Sequence, residues 1–473
     1  MDPLPDMTLR ILHISTRLIL GGSQENTILS CEGQARAGHD VHLAFGPIFG
    51  PEGSMLDRVQ AFNRSSERWS GSPSRASSAT DQSSGQCSPK SAHHHQGGRL
   101  PAARAEPTMS QQAQQTPETL TRGLVSGTIH THEIPDLVRQ VSPERDRRAQ
   151  RQLQNLIERI NPDIVHTHSS KAGILGRLAA WKSNPRPGIV HTIHGPPFMP
   201  VEGSPLTQLR TRTLNRVYTL AERHAARRCH VIVSVADAMT EQFLARGIGT
   251  PDQFITVRSG MDLEPYLNPP PSQTRDAVRA SLNLDTDDFV IGTVARLAEH
   301  KGHDDILDAL AGELRDRPHW KLLWVGDGWW AERLARRVES LGLSSQVVRT
   351  GLVAPERVPG LIRAMDLLCH PSFREGLPRT VVQALLCGVC PVAYDVDGTG
   401  EVCRDEQTGR LVPPGDVAGL REAVVSLVEN PALRERLAER GRAECIEDFD
   451  ARVMVARLEE VYARAVAKAQ ANA

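Results

Sequence analysis

The residues best suited to chemistry cluster at the ends of short apolar runs. Glu375 lies in the segment His370-Pro371-Ser372-Phe373-Arg374-Glu375-Gly376-Leu377-Pro378, with a helical pattern starting at Arg379. A helix start opened by glycine and proline turns backbone N–H groups outward and suits a phosphate. A carboxylate just ahead of it can accept hydrogen bonds from sugar hydroxyls. By itself the pattern also fits a carboxylate that only offsets the helix dipole. Arg296 ends another apolar run and Lys301 follows it. Two such cations can hold a diphosphate between them, or be ordinary surface charges. Val325-Gly326-Asp327-Gly328 ends a further run; its glycines fit a tight turn or a backbone lying close to a ligand. In the first half, Gly21-Gly22-Ser23 opens a helix, but the incomplete GxGxxG argues against a dinucleotide. His168 and His194 fall at equivalent run ends, where an imidazole can meet a sugar hydroxyl or phosphate oxygen, and Lys171 is a further cleft or acceptor candidate.

These residues need a scaffold that brings run ends together. Runs at 9–15, 40–45, 163–168, 188–194, 231–235 and 254–258 alternate with helical patterns such as 26–37 and 147–160. Strands that are apolar throughout, joined by helices, predict a parallel sheet buried on both faces. The prolines at 269–271 read as a hinge. The alternation then restarts, with strands at 289–294, 321–325, 346–349, 367–370 and 391–395. Helices are expected at 304–314, 330–341, 358–364 and 380–386. The predicted class is α/β: two Rossmann-like domains with a cleft between them, where open α/β sheets bind ligands. The expected division is an N-terminal acceptor domain over 1–265, a donor domain over 275–430, and C-terminal helices over 431–473 that pack back on the first domain. Residues 65–117, rich in Ser, Gln, Pro and Gly, read as a disordered insertion, with His93–His95 solvated rather than metal-binding.

Composition removes several classes. Lysine plus arginine (55) balances aspartate plus glutamate (56), so no nucleic-acid partner is expected. The start has no basic region followed by an apolar run, and no stretch is long and apolar enough to span a bilayer. Scattered cysteines suit a reducing compartment. Cys387 and Cys390 lack a second pair at zinc-ribbon spacing. A cytoplasmic location is expected, peripheral at the inner membrane face. The stretch 209–228 carries Arg210, Arg212, Arg216, Arg223, Arg227 and Arg228 among apolar residues. It fits an anionic membrane surface or an ordinary solvated face.

The chain resembles the GT-B-fold retaining glycosyltransferases called family 4. The resemblance rests on LGGSQ (20–24), DIVHTHSSKAGILGRLAA (163–180), VHTIHG (190–195), VRSGMD (257–262), ARLAEHKG (295–302), WVGDG (324–328), HPSFREGLP (370–378) and GRLVPPGD (409–416). It implies that Arg296 and Lys301 hold the donor diphosphate and that Glu375, first acid of a Glu-x7-Glu motif, faces the donor sugar. Gly376, Leu377 and Pro378 would lie beside the phosphates, Gly22 and its neighbours near them, and His194 near the transferred sugar. The second acid would stand at 383, where this chain has Gln383, which offers one acceptor oxygen and no charge. The implied reaction is metal-independent, retaining transfer of a hexosyl group to a glycan, glycolipid or small-molecule hydroxyl, as in polysaccharide or lipopolysaccharide assembly. No cofactor is expected beyond the nucleotide-sugar co-substrate, with UDP favoured over GDP. Two other readings stay open: a nucleotide-sugar epimerase, and a degenerate homologue that binds nucleotide or a partner protein.

Overall fold

The computed structural model describes residues 8–48, 53–70, 127–198 and 204–471. The first half holds β1 (Arg10–Ser15), α1 (Gly22–Arg36), β2 (Asp40–Phe45), α2 (Leu56–Ser70), β3 (Ile129–Glu133), α3 (Pro143–Ile160), β4 (Ile164–His168), α4 (Ser170–Lys182), β5 (Gly188–Ile193), α5 (Pro205–Ala226), β6 (Val231–Ser234), α6 (Asp237–Ala245) and β7 (Phe254–Thr256). Short α7 (Glu264–Leu267) and α8 (Arg275–Ser281) lead to β8 (Phe289–Val294), α9 (His303–Asp316), β9 (Trp320–Val325), α10 (Ala331–Ser340), β10 (Val347–Arg349), α11 (Val358–Arg363), β11 (Leu367–His370), α12 (Arg379–Leu386), β12 (Cys390–Tyr394) and β13 (Arg410–Val412). Helices α13 (Val417–Glu429), α14 (Pro431–Asp448) and α15 (Ala451–Ala471) follow.

Two parallel sheets result. One has seven strands in the order β3-β2-β1-β4-β5-β6-β7; the other has six in the order β10-β9-β8-β11-β12-β13. Every residue of β4 and β5 is buried, as a central parallel strand covered on both faces requires. Helix α3 shows how the covering layer forms. Pro143 starts it, Ala149, Leu153, Leu156, Ile157 and Ile160 form its buried stripe, and Asn161 ends it at φ 52. The two-domain α/β class agrees with the expectation. The strands it missed, β3 and β13, are edge strands; β3 leaves most of its polar residues exposed or half-buried, so no apolar run marks it.

The insertion expected from residue 65 starts too early. Helix α2 continues to Ser70, and Asn63 closes both its amide bonds, each 2.9 Å, on the backbone of Ile129. Residues 71–126, including His93–His95, lie outside the described residues.

The C-terminal helices divide. Helix α14 packs on α12, with Gly441 against Leu385. Helix α15 crosses to the first sheet, where Met454, Leu458, Val461, Tyr462 and Ala465 pack with Ile11, Ile164, Val190 and Val233. The two crossings lie side by side: Met261 N–H donates to Phe449 O at 2.8 Å and Ala451 N–H to Met261 O at 3.0 Å. The proline run at 269–271 comes after this crossing. No helix among the described residues is long and apolar enough to cross a membrane.

Candidate active site

On the second sheet the loops after β8 and β11 meet. Lys301 ends a turn that closes on Gly302 at φ +70, where a Cβ would lie 2.0 Å from Pro371 O; only glycine fits this approach. Phe373 N–H donates to His300 O at 2.8 Å, tying the loops together. Lys301 Nζ donates to Glu375 Oε1 at 2.6 Å, and His370 Nε2 donates to the same oxygen at 3.0 Å. The two side chains are 18% and 13% exposed. Burial works to raise the Glu375 carboxyl, but Lys301 and His370 outweigh it and hold it well below the carboxylate range. Glu375 is therefore ionised, and it holds the ammonium expected to bind phosphate. Arg296 is exposed, its guanidinium 5.6 Å from the Trp329 ring centre. Gly326 and Gly328 follow the other option open to a glycine turn. A Cβ on them would strike Ala295 O and Leu297 O, so they admit the neighbouring Arg296 loop. Asp327 Oδ1 accepts from Gly328 N–H at 2.8 Å.

Helix α12 begins behind Pro378, and Thr380 Oγ1 anchors its first turn to Val294 O at 3.1 Å. Leu377 and Pro378 are buried. Gln383 Nε2 donates to the Tyr266 hydroxyl at 2.8 Å.

The first sheet contributes uncharged groups. His194 follows β5, and its Nε2 lies 3.2 Å from Nδ1 of His168. Burial first, then the field of Arg379, pushes the His194 ring down to about 3, so it is neutral. A cavity of about 110 Å³ opens beside it, lined by Ser23, Ser169, Ser170, Thr192, His194 and Glu222 among others. Glu222 is held by Arg177 at 2.6 Å, with both side chains buried. His168 is 2% exposed and stands behind His194. Lys171 reaches Asp146 at 2.5 Å and the Gln140 carbonyl, a position on α3 that sequence alone did not suggest.

The two sides touch. A Cβ on Gly376 would lie 2.0 Å from His194 O, and Gly195 sits directly opposite. Gly22 leaves room for Arg379, whose side chain would lie 2.6 Å from a Cβ there. Arg379 pairs with Glu25 at 3.0 Å and donates to Gly260 O at 3.0 Å. Gly21 caps α1 beside it with extended backbone. Arg374 donates to Pro196 O. Asp397 holds φ 48, unusual for a non-glycine residue. Its carboxylate accepts from Glu375 N–H at 2.7 Å and from Gln242 Nε2 at 2.6 Å, so one side chain joins the loop carrying Glu375 to α6. The reading of the sequence missed Arg379 and Asp397. The Asp397-Gly398 pair after β12 was the available signal for the latter.

A buried histidine cluster lies beneath. Ring nitrogens of His13, His166 and His168 are close enough to invite a metal ion. All six of those nitrogens already have protein partners: His168, Gln34, Tyr462, Thr192, His13 and His194. Hydrogen bonding accounts for the cluster.

Two parallel α/β sheets linked by a double crossing, with loops from both meeting over a cleft, define the GT-B fold. The model for glycosyl transferases group 1 matches residues 274–444 and that for glycosyltransferase family 4 matches residues 99–265. The UDP-Gal:alpha-D-GlcNAc-diphosphoundecaprenol alpha-1,3-galactosyltransferase of Escherichia coli is 25% identical over 338 residues, 71% of this chain and 84% of its own length. The 2-deoxystreptamine N-acetyl-D-glucosaminyltransferase of Streptomyces fradiae is 31% identical over 276 residues, 55% of this chain and 62% of its own length. The solved structure of Anabaena HepE with UDP and glucose superposes with TM-score 0.67 at 18% identity, covering 96% of this chain and 99% of that one. Sucrose-phosphate synthase of Thermosynechococcus elongatus gives 0.68 at 17% identity, covering 97% and 100%. The chain belongs to the GT-B glycosyltransferases of family 4.

Proposed function

We propose that this glycosyltransferase moves a hexosyl group, with retention of configuration, from a nucleoside-diphosphate sugar to an acceptor hydroxyl. The observation that carries the reading is the Lys301–Glu375 pair at the start of α12, opposite His194 and separated from it by the Gly195–Gly376 contact. Residues 275–430 act as the donor domain and residues 1–265 as the acceptor domain. On donor binding, the diphosphate takes Lys301 from Glu375 and is held with Arg296 and the N-terminus of α12. Charge that develops on the leaving diphosphate is met by these groups without a metal ion. Glu375, freed of its partner, faces the sugar hydroxyls, and the acceptor hydroxyl arrives on the face the diphosphate leaves. Gly21, Gly22 and Ser23 line the donor from the first domain; Asp327, Gly328 and Gln383 complete its nucleotide side.

UDP is favoured because one relative is named for UDP-Gal and HepE was solved with UDP. The Escherichia coli relative is also named for a lipid-linked acceptor, and α5 fits such a role. Leu206, Leu209, Leu214, Val217 and Leu220 are 45–80% exposed, and their spacing puts them on one face of the helix. Arg212, Arg216 and Arg223 are exposed along its flank. An apolar face beside a row of arginines matches an anionic lipid surface. Flotation with phosphatidylglycerol vesicles is expected, lost in Leu209→Ser/Val217→Ser; equal flotation with phosphatidylcholine, or none, would remove this contact.

The reading as a whole is tested by a thermal-shift screen with UDP- and GDP-sugars, followed by transfer assays on the donor that stabilises the fold. No stabilising donor, or release of epimerised nucleotide-sugar without acceptor, would overturn it. One observation favours a degenerate binder instead: Gln383 is bonded to Tyr266 where the family's second acid would stand. Donor binding without transfer or hydrolysis would support that alternative.

A further inference from the structure

The hydrogen bonds behind His194 form one continuous chain through the first sheet. His194 Nε2 lies 3.2 Å from His168 Nδ1, and His168 Nε2 lies 2.9 Å from His13 Nδ1. His13 Nε2 lies 2.7 Å from Gln34 Oε1. Gln34 Nε2 donates to the Tyr462 hydroxyl on α15 at 2.8 Å. That hydroxyl lies 2.8 Å from His166 Nδ1, and His166 Nε2 lies 2.6 Å from Thr192 Oγ1. His13, Gln34, His166 and Tyr462 are completely buried.

A neutral imidazole donates from one nitrogen and accepts at the other, so each link in such a chain dictates the next. Gln34 Oε1 can only accept, so His13 donates from Nε2 and accepts at Nδ1. His168 must then donate from Nε2 and accept at Nδ1, and His194 must donate from Nε2. Beyond the amide, Gln34 leaves Tyr462 to donate to His166 Nδ1, and His166 to donate to Thr192. A reversed link would set two donors or two acceptors face to face in a dry interior, where an unmade hydrogen bond costs about 1–3 kcal/mol. The whole chain therefore has one polarity at a time.

We infer that Gln34, through His13 and His168, fixes the tautomer of His194, so that the cleft histidine turns the lone pair of Nδ1, not an N–H, toward a substrate hydroxyl. Gln34 and His13 are positioning residues; neither lies at the cleft. Two further observations agree. Burial holds His13 down at about 4 and His168 and His166 well below the ordinary value, so the links are neutral at pH 7. The Arg379 cation also disfavours protonation of His194, so the ring keeps one lone pair. A hydroxyl that donates to Nδ1 has its oxygen enriched in electron density and oriented by one fixed acceptor. The inference rests on His194 being the cleft histidine of the proposed transferase, but its tautomer can be read without turnover.

The test is ¹⁵N-histidine NMR of the unliganded full chain at pH 7.5, with the His194 signals assigned by their loss in His194→Gln. Nitrogen shifts are expected to report the Nε2–H tautomer. Gln34→Glu, whose carboxylate also only accepts, is expected to keep that tautomer and wild-type kcat. Gln34→Met is expected to give a mixture of tautomers and about a tenfold lower kcat with an unchanged donor KM. The Nδ1–H tautomer in the wild type, or a His194 spectrum indifferent to a folded Gln34→Met, would overturn the inference. If Gln34→Met does not fold, the wild-type tautomer decides. A correct tautomer in a protein that transfers no sugar would leave the relay standing and remove the transferase reading.

Discussion

The two halves of the molecule share a fold and differ in charge where they meet. Both are parallel sheets wound in the same order from a central strand. The second presents ions at its strand ends: Arg296, Lys301, Glu375, Arg379 and Asp397. The first presents neutral imidazoles and hydroxyls, His194, Ser169, Ser170 and Thr192, and its carboxylates there, Glu222 and Glu25, are each paired with an arginine. The difference teaches that the scaffold supplies only the place, and the side chains at the strand ends supply the chemistry. An ionic wall suits the part of a donor that carries and gains negative charge. A neutral, hydroxyl-rich wall suits the part that is only polar, and it stays neutral because the histidines behind it are buried and bonded to one another.

The comparison breaks if charge on the second wall can be removed cheaply. Lys301→Ala is expected to lower kcat/KM by about 10²–10³, the size typical for loss of one preorganised electrostatic contact. It also leaves Glu375 ionised without its main partner, and Tm is expected to fall. Steady-state kinetics with near wild-type turnover would refute the diphosphate role. Glu375→Gln comes next, with kcat about 10²-fold lower and donor affinity largely kept, because the substitution frees Lys301 while removing a sugar contact. A drop in nucleoside-diphosphate affinity as large as that in kcat would move Glu375 from the sugar to the phosphates.

The neutral wall is sharpened by pH. His13 has a folded value near 4, below its unfolded value near 6.5. The unfolded chain therefore takes up the proton first, and stability is lost as pH falls from 6.5 toward 4, while above 6.5 nothing changes. For His13 alone the loss at pH 5 is about 2 kcal/mol. Glu375 acts with the same sign in a lower window: its depressed carboxyl stabilises the fold above the ordinary carboxylate range, and that contribution is lost only as pH falls below it. Chemical denaturation across pH 8 to 5 should show a plateau and then a fall starting near 6.5. A flat profile would mean that the histidines are not held neutral. The smallest effect is expected at Gln383→Glu, about a two- to fivefold change in donor KM, since the Tyr266 hydroxyl, which accepts from the Gln383 amide, can donate to a carboxylate instead. A much larger gain in kcat would mark the natural chain as partly degenerate.

Much of this contrast was legible in the residues. Strands that are apolar throughout, such as β4, β5, β8 and β11, announce themselves, and they delivered Glu375, Lys301, Arg296 and His194 at run ends. Edge strands β3 and β13 were not legible, because half-exposed strands lack an apolar run. The return of the C-terminal helices to the first domain was expected, but not the contacts that anchor α15 there, with Tyr462 meeting Gln34 and His166. Lys171 was a cleft or acceptor candidate, and its ion pair with Asp146 on α3 left no signal in the sequence. Gly326 and Gly328 fitted either a tight turn or a backbone close to a ligand, and the neighbouring backbone is what they accommodate. Long-range partners such as Asp397 with Gln242 leave no local signal in a single chain.

The most direct test of the two-wall account is calorimetric binding of UDP and of GDP to wild type, Arg296→Ala, Lys301→Ala and His194→Ala. The account predicts that one nucleoside diphosphate binds, that each cation variant weakens it at least about tenfold, and that His194→Ala leaves its affinity within about twofold. Loss of binding in His194→Ala, with Arg296→Ala and Lys301→Ala unaffected, would contradict it.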